Sequence, residues 1–370
     1  MNIEEIADAV CAGKNLDCAQ AEHMAGAMLD GETSHGQNAR FLGCMSAKGE
    51  TDAELASMLK VMMQRAVRLH PNVRGPIIDV CGTGGDMQRT FNVSTAASFV
   101  AAAASSRGSS RDRFAVAKHG NRSSSGASGS ADVFEALGYD NAAEPSRVQG
   151  ILERCGICFV FAQRFHPAMR HVASARRALG KRTIFNVLGP LANPAGASRQ
   201  LVGVSTEDLL DRIPIILAGR GAEVTMTVMS AEGMDELSTS SSNAVRVSRG
   251  AGGGGSGSGS GGSSRRFTVR PEEVGLHRSD ISEIRVADAS ESARAVVGAI
   301  DGTAGRAVTE TVIFNAAGAL VVAGAADSLK DAVPVCMDVV MSGRASAELD
   351  SFVRHAGSME MLEGIRNSGA

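Results

Sequence analysis

A short apolar run, a glycine cluster and an alanine-rich stretch follow one another between residues 77 and 104, and this order constrains the fold more than any other feature. Residues 77–81 (Ile-Ile-Asp-Val-Cys) have the length and composition of a buried strand. Gly82-Thr83-Gly84-Gly85-Asp86 follows at once and is dense in turn-forming residues. Residues 94–104 are rich in alanine and predict a helix. The segment therefore predicts a strand, a loop and a helix in succession.

The same succession recurs along the chain. Further strands are predicted at residues 114–118, 159–162, 201–204 and 224–229, and helices at 131–137, 207–217, 310–323, 332–341 and 348–355. Such alternation is typical of an α/β domain. Before it, apolar residues recur at helical spacing over residues 3–10, 19–29, 39–45 and 53–69. The predicted fold class is α/β: a small N-terminal helical domain plus a larger α/β domain with a central, mostly parallel sheet flanked by helices.

The chain has 370 residues, more than the roughly 250 to 300 that one hydrophobic core usually serves, so two domains are expected. We place the helical domain at residues 1–70 and the α/β domain at 71–370. Residues 250–264 are almost wholly Gly and Ser and predict a flexible loop between strands at 244–247 and 267–269. Residues 105–113 form a second, smaller polar excursion.

Composition narrows the function classes. The formal net charge is −3, Trp is absent and Tyr occurs once, which argues against nucleic-acid binding and favours small-molecule ligands. No apolar run approaches the roughly 20 residues of a membrane span, and residues 1–17 lack the pattern of a signal peptide, so we expect a cytoplasmic protein without a membrane partner. The seven Cys are then expected to be thiols, including the Cys155 and Cys158 pair.

The glycine loop at residues 82–86 predicts a phosphate site, because glycines let backbone amides approach phosphate oxygens at the start of a helix. It lacks the Gly-Lys-Ser/Thr ending of a Walker loop, and Met87 stands where the dinucleotide fingerprint has Gly or Ala. Asp86 could accept from a ribose hydroxyl or an amine, or assist a metal-bound diphosphate. The alternative is a tight turn that binds nothing.

Three further groups fall at predicted strand or helix ends. Asn92-Val-Ser94-Thr95 opens the alanine-rich helix, where the polar side chains could be plain N-caps or could contact phosphate or Mg²⁺. Lys118-His119-Gly120-Asn121-Arg122 ends a strand and runs into a Ser/Gly loop that reaches Ser130, at the strand end where α/β proteins bind ligands. Asp235 and Glu236 follow the strand 224–229 and suit Mg²⁺, the alternative being a solvated acidic turn.

Taken in order, these motifs resemble those of anthranilate phosphoribosyltransferases over almost the whole chain. Besides the segments 82–86, 92–95, 118–122 and 233–236, the resemblance includes Phe165-His-Pro-Ala-Met-Arg170 and Phe185-Asn-Val-Leu-Gly-Pro-Leu191. It implies transfer of a phosphoribosyl group from phosphoribosyl diphosphate to anthranilate in tryptophan biosynthesis, with Mg²⁺ as cofactor and usually as a homodimer formed through the helical domain. A helical segment near residues 168–184 would join that domain.

By motif position, the resemblance also implies a donor site, an acceptor site and a metal site. Donor-binding residues would be Gly82, Thr83, Gly84, Gly85, Asp86, Thr90, Asn92, Ser94, Thr95, Lys118, His119, Gly120, Asn121 and Ser130. Acceptor-binding residues would be Gly82, His119, Asn121, His166, Arg176 and Pro190, and metal ligands Ser94, Asp235 and Glu236. Arg176 can pair with the anthranilate carboxylate through a planar fork of donors. No residue is assigned as a catalytic acid or base.

Two rival functions remain open at this point. A pyrimidine nucleoside phosphorylase shares the general fold and also acts at an anomeric centre beside a phosphate, but it is not expected to carry Arg176 with the Asp235 and Glu236 pair. A non-catalytic relative could instead bind nucleic acid through a basic groove. The net negative charge of the chain argues against this function.

Overall fold

The computed structural model describes residues 2–86, 88–105, 113–123, 128–250 and 262–368. The chain divides into two compact units. Unit 1 comprises Met1–Arg68 and Ala162–Pro194, and unit 2 comprises Leu69–Phe161 and Ala195–Ala370. The predicted fold class is confirmed, with a helical bundle in unit 1 and a mostly parallel sheet flanked by helices in unit 2.

Among the described residues, four α-helices precede the first strand, helices and strands are then interspersed, and five α-helices follow the last strand. In chain order the elements are α1 (Ile3–Cys11), α2 (Cys18–Asp30), α3 (His35–Lys48), α4 (Asp52–Gln64), β1 (Ile77–Gly82), α5 (Val93–Ser105), β2 (Ala115–Gly120), α6 (Ser130–Ala136), α7 (Pro145–Cys155), β3 (Ile157–Phe161), α8 (Ala162–Phe165), α9 (Arg170–Leu179), α10 (Ile184–Leu191), β4 (Arg199–Gly203), α11 (Glu207–Ala218), β5 (Val224–Ser230), β6 (Asn243–Arg249), β7 (Ser263–Val269), α12 (Ala289–Asp301), α13 (Arg306–Ala323), α14 (Leu329–Met341), α15 (Arg344–Ala356) and α16 (Met359–Asn367).

Unit 1 is a helical bundle in which capping residues of the sequence define where three of the helices begin. Helices α2, α3 and α4 each begin with a capping box, in which an Asp, Ser or Thr and a Gln or Glu three residues on satisfy each other's backbone N–H groups. Their apolar faces meet in a core that includes Met28, Phe41 and Met58. Helix α4 ends at Gln64, not at residue 69 as predicted, because the N–H of Val67 donates to the carbonyl of Phe165 instead of continuing the helix.

A disulfide joins Cys11 at the end of α1 to Cys44 in α3. The prediction that all seven Cys are thiols is therefore wrong for this pair. The two helices lie side by side, which brings Cα atoms 33 residues apart in sequence to within 4.8 Å. The positions of Cys11 and Cys44 in the sequence give no sign that the two residues lie close together. Cys155 and Cys158 do have the spacing of a redox pair, but they are free thiols.

Unit 2 is built on one sheet of seven strands in the order β3-β2-β1-β4-β5-β6-β7. The first five strands in this order are parallel, and β6 and β7 add an antiparallel hairpin at the edge. Residues 251–261 of the predicted Gly/Ser loop lie outside the described residues, but Ser263 and Ser264 already pair with β6. Residues 106–112 of the other predicted excursion also lie outside them.

Two buried, largely apolar helices cover the central strands. Helix α5 is almost wholly buried, and its alanines let it lie close to β1, β2 and α13. Helix α13 has the length and composition to cross a membrane, although the sequence predicted no such span. It is nearly all buried against β1, β4 and β5, which is the position of a core helix.

Candidate active site

The centre of the candidate site is the carboxyl edge of the sheet where β1 lies beside β4. From β1 the chain passes through α5 to β2 on one side, and from β4 it passes through α11 to β5 on the other. Loops diverge at such a switch point and leave a crevice where open α/β sheets bind ligands. The glycine loop begins here, with the N–H of Thr83 donating to the carbonyl of Gly203 at 2.9 Å.

Asp235 lies directly over these two strand ends, and glycine is required beneath it. A Cβ on Gly82 would lie 2.3 Å from Asp235 Oδ2, and one on Gly203 would lie 1.5 Å from the Asp235 carbonyl oxygen. The carboxylate accepts a hydrogen bond of 2.6 Å from the N–H of Gly84. Gly84 and Gly85 have φ values of 68° and 80°, which favour glycine. The glycine loop is thereby fixed to the segment that follows β5.

Asp86, Asp235 and Glu236 gather negative charge at this edge. Burial, together with the neighbouring Asp86 charge, raises the pKa of Asp235 to about 7. Burial and the charge of Asp235 raise the pKa of Glu236 to about 8. Carboxylates held this close to one another are stabilised as anions by a cation between them, so their chemistry fits a hard divalent ion.

The metal-ligand set is small. Within the described ranges, no group of three or more His, Cys, Asp or Glu side chains is arranged to hold a metal ion. Mg²⁺ commonly takes only one or two carboxylates from a protein and completes its shell with water and substrate phosphate. The Asp235 and Glu236 pair, with the hydroxyl of Ser94 hydrogen-bonded to Glu236, matches that limited role.

Lys118 supplies the positive charge next to these carboxylates. Its side chain is buried at the end of β2, and Nζ donates to the carbonyl of Val80 at 2.8 Å and to Ser94 Oγ at 3.0 Å. Burial lowers the pKa of Lys118, while the charges of Asp79 and Glu236 oppose that shift. Ser94 therefore joins the ammonium of β2 to the carboxylate after β5.

Two threonine hydroxyls at the same edge are buried without a hydrogen-bond partner among the described residues. They are Thr83 Oγ1, in the glycine loop, and Thr95 Oγ1, in the first turn of α5. Buried hydroxyls are nearly always hydrogen-bonded in folded proteins. A ligand rich in acceptor oxygens, such as a diphosphate, would satisfy both.

The remaining predicted donor residues line the two loops above the strand ends. Asn92 Nδ2 donates to Ser128 Oγ at 2.9 Å and to Ser292 Oγ at 2.8 Å, which connects both loops with α12. Thr90 forms an isolated bridge with Arg285. The N–H of His119 donates to Asp79 Oδ1, and the carbonyl of Asn121 accepts from Ser130 Oγ. Residues 124–127 of this second loop lie outside the described residues.

Gly120 is the remaining predicted donor residue, and it is fixed by close packing. A Cβ at this position would lie 2.0 Å from Ser130 Oγ, so a larger residue would force the Ser130 hydroxyl out of its place. Asn121, by contrast, is exposed. Unit 2 thus brings together the predicted donor and metal residues, along with His119 and Asn121.

The other predicted acceptor residues, His166, Arg176 and Pro190, belong to unit 1. The Arg176 guanidinium lies 5.7 Å from the centre of the Phe185 ring, and Nη2 is 3.4 Å from Asn186 Oδ1. Burial lowers its pKa, but a guanidinium stays charged at neutral pH. His166 Nε2 lies 2.9 Å from the carbonyl oxygen of Ala192, and Pro190 is inside α10.

Several residues that shape the site were missed in the sequence. Gly203 and Ser292 belong to no motif, and Asn186, although it lies in the 185–191 motif, was assigned no role. Only the fold shows what these three residues contact. Asp79 is different, because an acidic residue inside the apolar run 77–81 is itself a signal. Its side chain is fully buried in β1 next to Lys118 and His119.

Two family models match the chain and together span most of it. The helical bundle domain of a glycosyl transferase family matches residues 2–66, and the α/β domain of a glycosyl transferase family matches residues 74–346.

Individual relatives agree with these matches. An anthranilate phosphoribosyltransferase from Nitrosopumilus maritimus is 46% identical over 338 residues, covering 91% of this chain and 92% of its own. The crystal structure of the enzyme of that name from Thermus thermophilus is 36% identical, with a TM-score of 0.82 and coverage of 95% and 98%. The Saccharomyces cerevisiae enzyme in complex with PRPP and Mg shares the fold at 22% identity, with a TM-score of 0.82 and coverage of 96% and 98%.

Proposed function

The chain belongs to the anthranilate phosphoribosyltransferase family, and from that membership we propose that it transfers the phosphoribosyl group of phosphoribosyl diphosphate to anthranilate, releasing diphosphate. The observation that carries the proposal is the cluster at the carboxyl edge of β1, β2 and β5. There the buried ammonium of Lys118 lies at the same sheet edge as the acidic Asp235 and Glu236. The hydroxyls of Thr83 and Thr95 belong to the same edge and have no hydrogen-bond partner in the part of the chain that the structure describes. Such a set suits a diphosphate bound together with a divalent cation.

We assign donor binding to the glycine loop, the start of α5 and the end of β2. The Thr83 and Thr95 hydroxyls would donate to phosphate oxygens, and the ammonium of Lys118 would offset their charge. Mg²⁺, which is present with PRPP in the yeast relative, would be held by Asp235, Glu236 and Ser94 and would stabilise the departing diphosphate. The hydrogen bonds from the Gly84 N–H to Asp235 and from Ser94 to Glu236 would fix these carboxylates before the donor arrives, which limits reorganisation during the reaction.

We assign anthranilate recognition to His119, Asn121, His166, Arg176 and Pro190, together with Gly82. Arg176 presents a planar, permanently charged group that can pair with the acceptor carboxylate through two parallel hydrogen bonds. The Phe185 ring beside that guanidinium restricts its orientation.

The reaction itself requires little proton transfer before attack. An arylamine is neutral at pH 7, so its nitrogen can attack the anomeric carbon of the ribose directly as the bond to diphosphate breaks. Positioning and charge stabilisation would then supply most of the catalysis. The ammonium of Lys118 and a Mg²⁺ held by the carboxylates would offset the charge of the leaving group. The nitrogen loses one proton after it attacks, and because the departing diphosphate or water can accept that proton, no residue needs to serve as a general base.

We further propose that the protein acts in tryptophan biosynthesis in the cytoplasm as a homodimer, without a nucleic-acid or membrane partner. These statements rest on family membership, on the acidic net charge of −3 and on the buried position of α13.

Anthranilate fluorescence tests the proposed reaction. Protein, Mg²⁺ and anthranilate should lose the fluorescence only when phosphoribosyl diphosphate is added. Glu236→Gln should abolish most of the loss, whereas Glu223→Gln, at the opposite end of β5 in an ion pair with Arg199, should not. Fluorescence that persists with every component present would reject the proposal. Phosphorolysis of uridine or thymidine would favour the nucleoside phosphorylase alternative, and salt-sensitive DNA binding without turnover the nucleic-acid-binding one.

A further inference from the structure

Asp79 is a fully buried carboxylate in the central strand β1. Its chain neighbours Ile78 and Val80 are fully buried apolar residues, and an apolar side chain would satisfy the sheet at this position without the cost of burying a charge. Sheet stability alone therefore does not account for an acid here.

The contacts of Asp79 fall where β1 and β2 approach the donor site. Direct pairing of these strands includes Ile77 with Ala115 and Ile78 with Val116. Nearer the carboxyl edge, side chains also cross between the strands. Asp79 Oδ1 accepts from the N–H of His119 at 3.1 Å, and Lys118 Nζ donates to the carbonyl of Val80 at 2.8 Å. Each of the two strands therefore contributes one side chain that forms a hydrogen bond with the backbone of the other strand.

The charge of Asp79 acts on the same pair of residues. Lys118 is buried, and the Asp79 carboxylate attracts its ammonium. The ammonium donates to Ser94 Oγ at 3.0 Å. Asp79 therefore holds the backbone of His119, the residue next to Lys118, and Lys118 in turn contacts Ser94.

We propose that Asp79 is a positioning residue for the donor site: its buried carboxylate holds the end of β2 through the His119 N–H and anchors the Lys118 ammonium opposite Ser94. The inference rests on the proposed function, because it assigns phosphoribosyl diphosphate as the ligand of that site. Asp79 itself does not contact the ligand. It acts through Lys118 and the backbone of His119.

Two substitutions separate charge from hydrogen bonding. Asp79→Asn keeps an oxygen that can accept from the His119 N–H but removes the charge, whereas Asp79→Ala removes both. Ser105→Ala is the matched control: the Ser105 hydroxyl is also a buried link to the backbone beside β2, bonded to Phe114 N and O, but it lies at the other end of the strand.

Calorimetric titration with phosphoribosyl diphosphate and Mg²⁺, together with steady-state kinetics, gives the test. Displacement of donor-binding groups should raise the donor Kd and KM of Asp79→Asn roughly ten- to hundredfold, and those of Asp79→Ala at least as much. The KM for anthranilate should rise clearly less than the donor constants, because only His119 and Asn121 among the acceptor residues follow the end of β2, whereas His166, Arg176 and Pro190 belong to unit 1. Ser105→Ala should lower Tm but leave the donor Kd unchanged.

A purely structural Asp79 would behave like Ser105, with a lower Tm and an unchanged donor Kd, and that result overturns the inference. Equal changes in the donor and acceptor constants also overturn it. Because the donor titration needs no acceptor, wild-type protein that binds donor but does not consume anthranilate would refute the proposed reaction alone. Wild-type protein that binds no donor would refute both.

Discussion

Gly203→Ala is the substitution for which the structure makes the sharpest prediction. The added Cβ would lie 1.5 Å from the carbonyl oxygen of Asp235 and 2.4 Å from its carbonyl carbon. Both are backbone atoms, so no side-chain rotation can relieve the overlap. Reaching an ordinary contact distance requires Asp235 to move by about 2 Å relative to β4.

That displacement can be converted into a rate. Misplacing a catalytic group by about 1 Å can cost roughly 100-fold in rate. A shift of about 2 Å of the segment carrying Asp235 and Glu236 should therefore lower kcat/KM for the donor at least about 100-fold, or ~2.7 kcal/mol of transition-state stabilisation. Overpacking should also destabilise the fold by roughly 1–3 kcal/mol.

The assay is donor-dependent loss of anthranilate fluorescence at saturating anthranilate, with Tm measured in parallel. Gly219→Ala is the control, because its Cβ would meet the nearest atom, the Ile216 carbonyl oxygen, at an ordinary 3.5 Å. It should keep the wild-type kcat/KM. A folded Gly203→Ala protein with kcat/KM within about threefold of wild type would refute the claim that Asp235 must cross over the end of β4.

Four further results are expected. Reducing the Cys11–Cys44 disulfide, which closes a separation of 33 residues, should lower unfolding free energy by about 3–4 kcal/mol in denaturant titrations, and Cys11→Ser should make stability insensitive to reductant. Burial raises the pKa of Glu348 from its ordinary value of 4.5 to about 7, so the folded protein loses stability as the pH rises through this range. Glu348→Gln, which cannot ionise, should therefore raise Tm at pH 8 but not at pH 4. Gly150→Ala in α7, with no atom within 4 Å of the added Cβ, should raise stability by about 0.5–1 kcal/mol, and an unchanged or lower Tm would contradict that packing. Arg176→Lys should raise the KM for anthranilate roughly tenfold or more while sparing the donor KM, because Lys cannot form the bidentate pair; equal effects on both would reject the role.

The fold class could be predicted because local and global signals agree. The strand at 77–81, the glycine loop and the alanine-rich helix each have a composition that permits little else, and β1 and α5 occur where the pattern places them. Helix ends were less accurate where tertiary contacts decide them. The hydrogen bond from Val67 to Phe165, for example, diverts the chain after α4.

The candidate site is easiest to predict where its residues form contiguous motifs. The segments 82–86 and 118–122 can be found because each is a dense run of glycine and polar residues at a strand end, whereas Gly203 matters solely because Asp235 crosses it. The Cys11–Cys44 pair depends on two helices lying side by side, a fact that no local spacing encodes. Asp79 was detectable in principle, since a charge inside an apolar strand needs a compensating partner.

The most direct test of the proposed transfer is a ³¹P NMR record of the reaction. Wild-type protein with Mg²⁺ and phosphoribosyl diphosphate should release diphosphate only when anthranilate is present, and a new phosphomonoester signal should grow in equal amount. Release of diphosphate at the same rate without anthranilate would show hydrolysis instead of transfer, and an unchanged spectrum with both substrates would show no reaction; either result would contradict the assigned function.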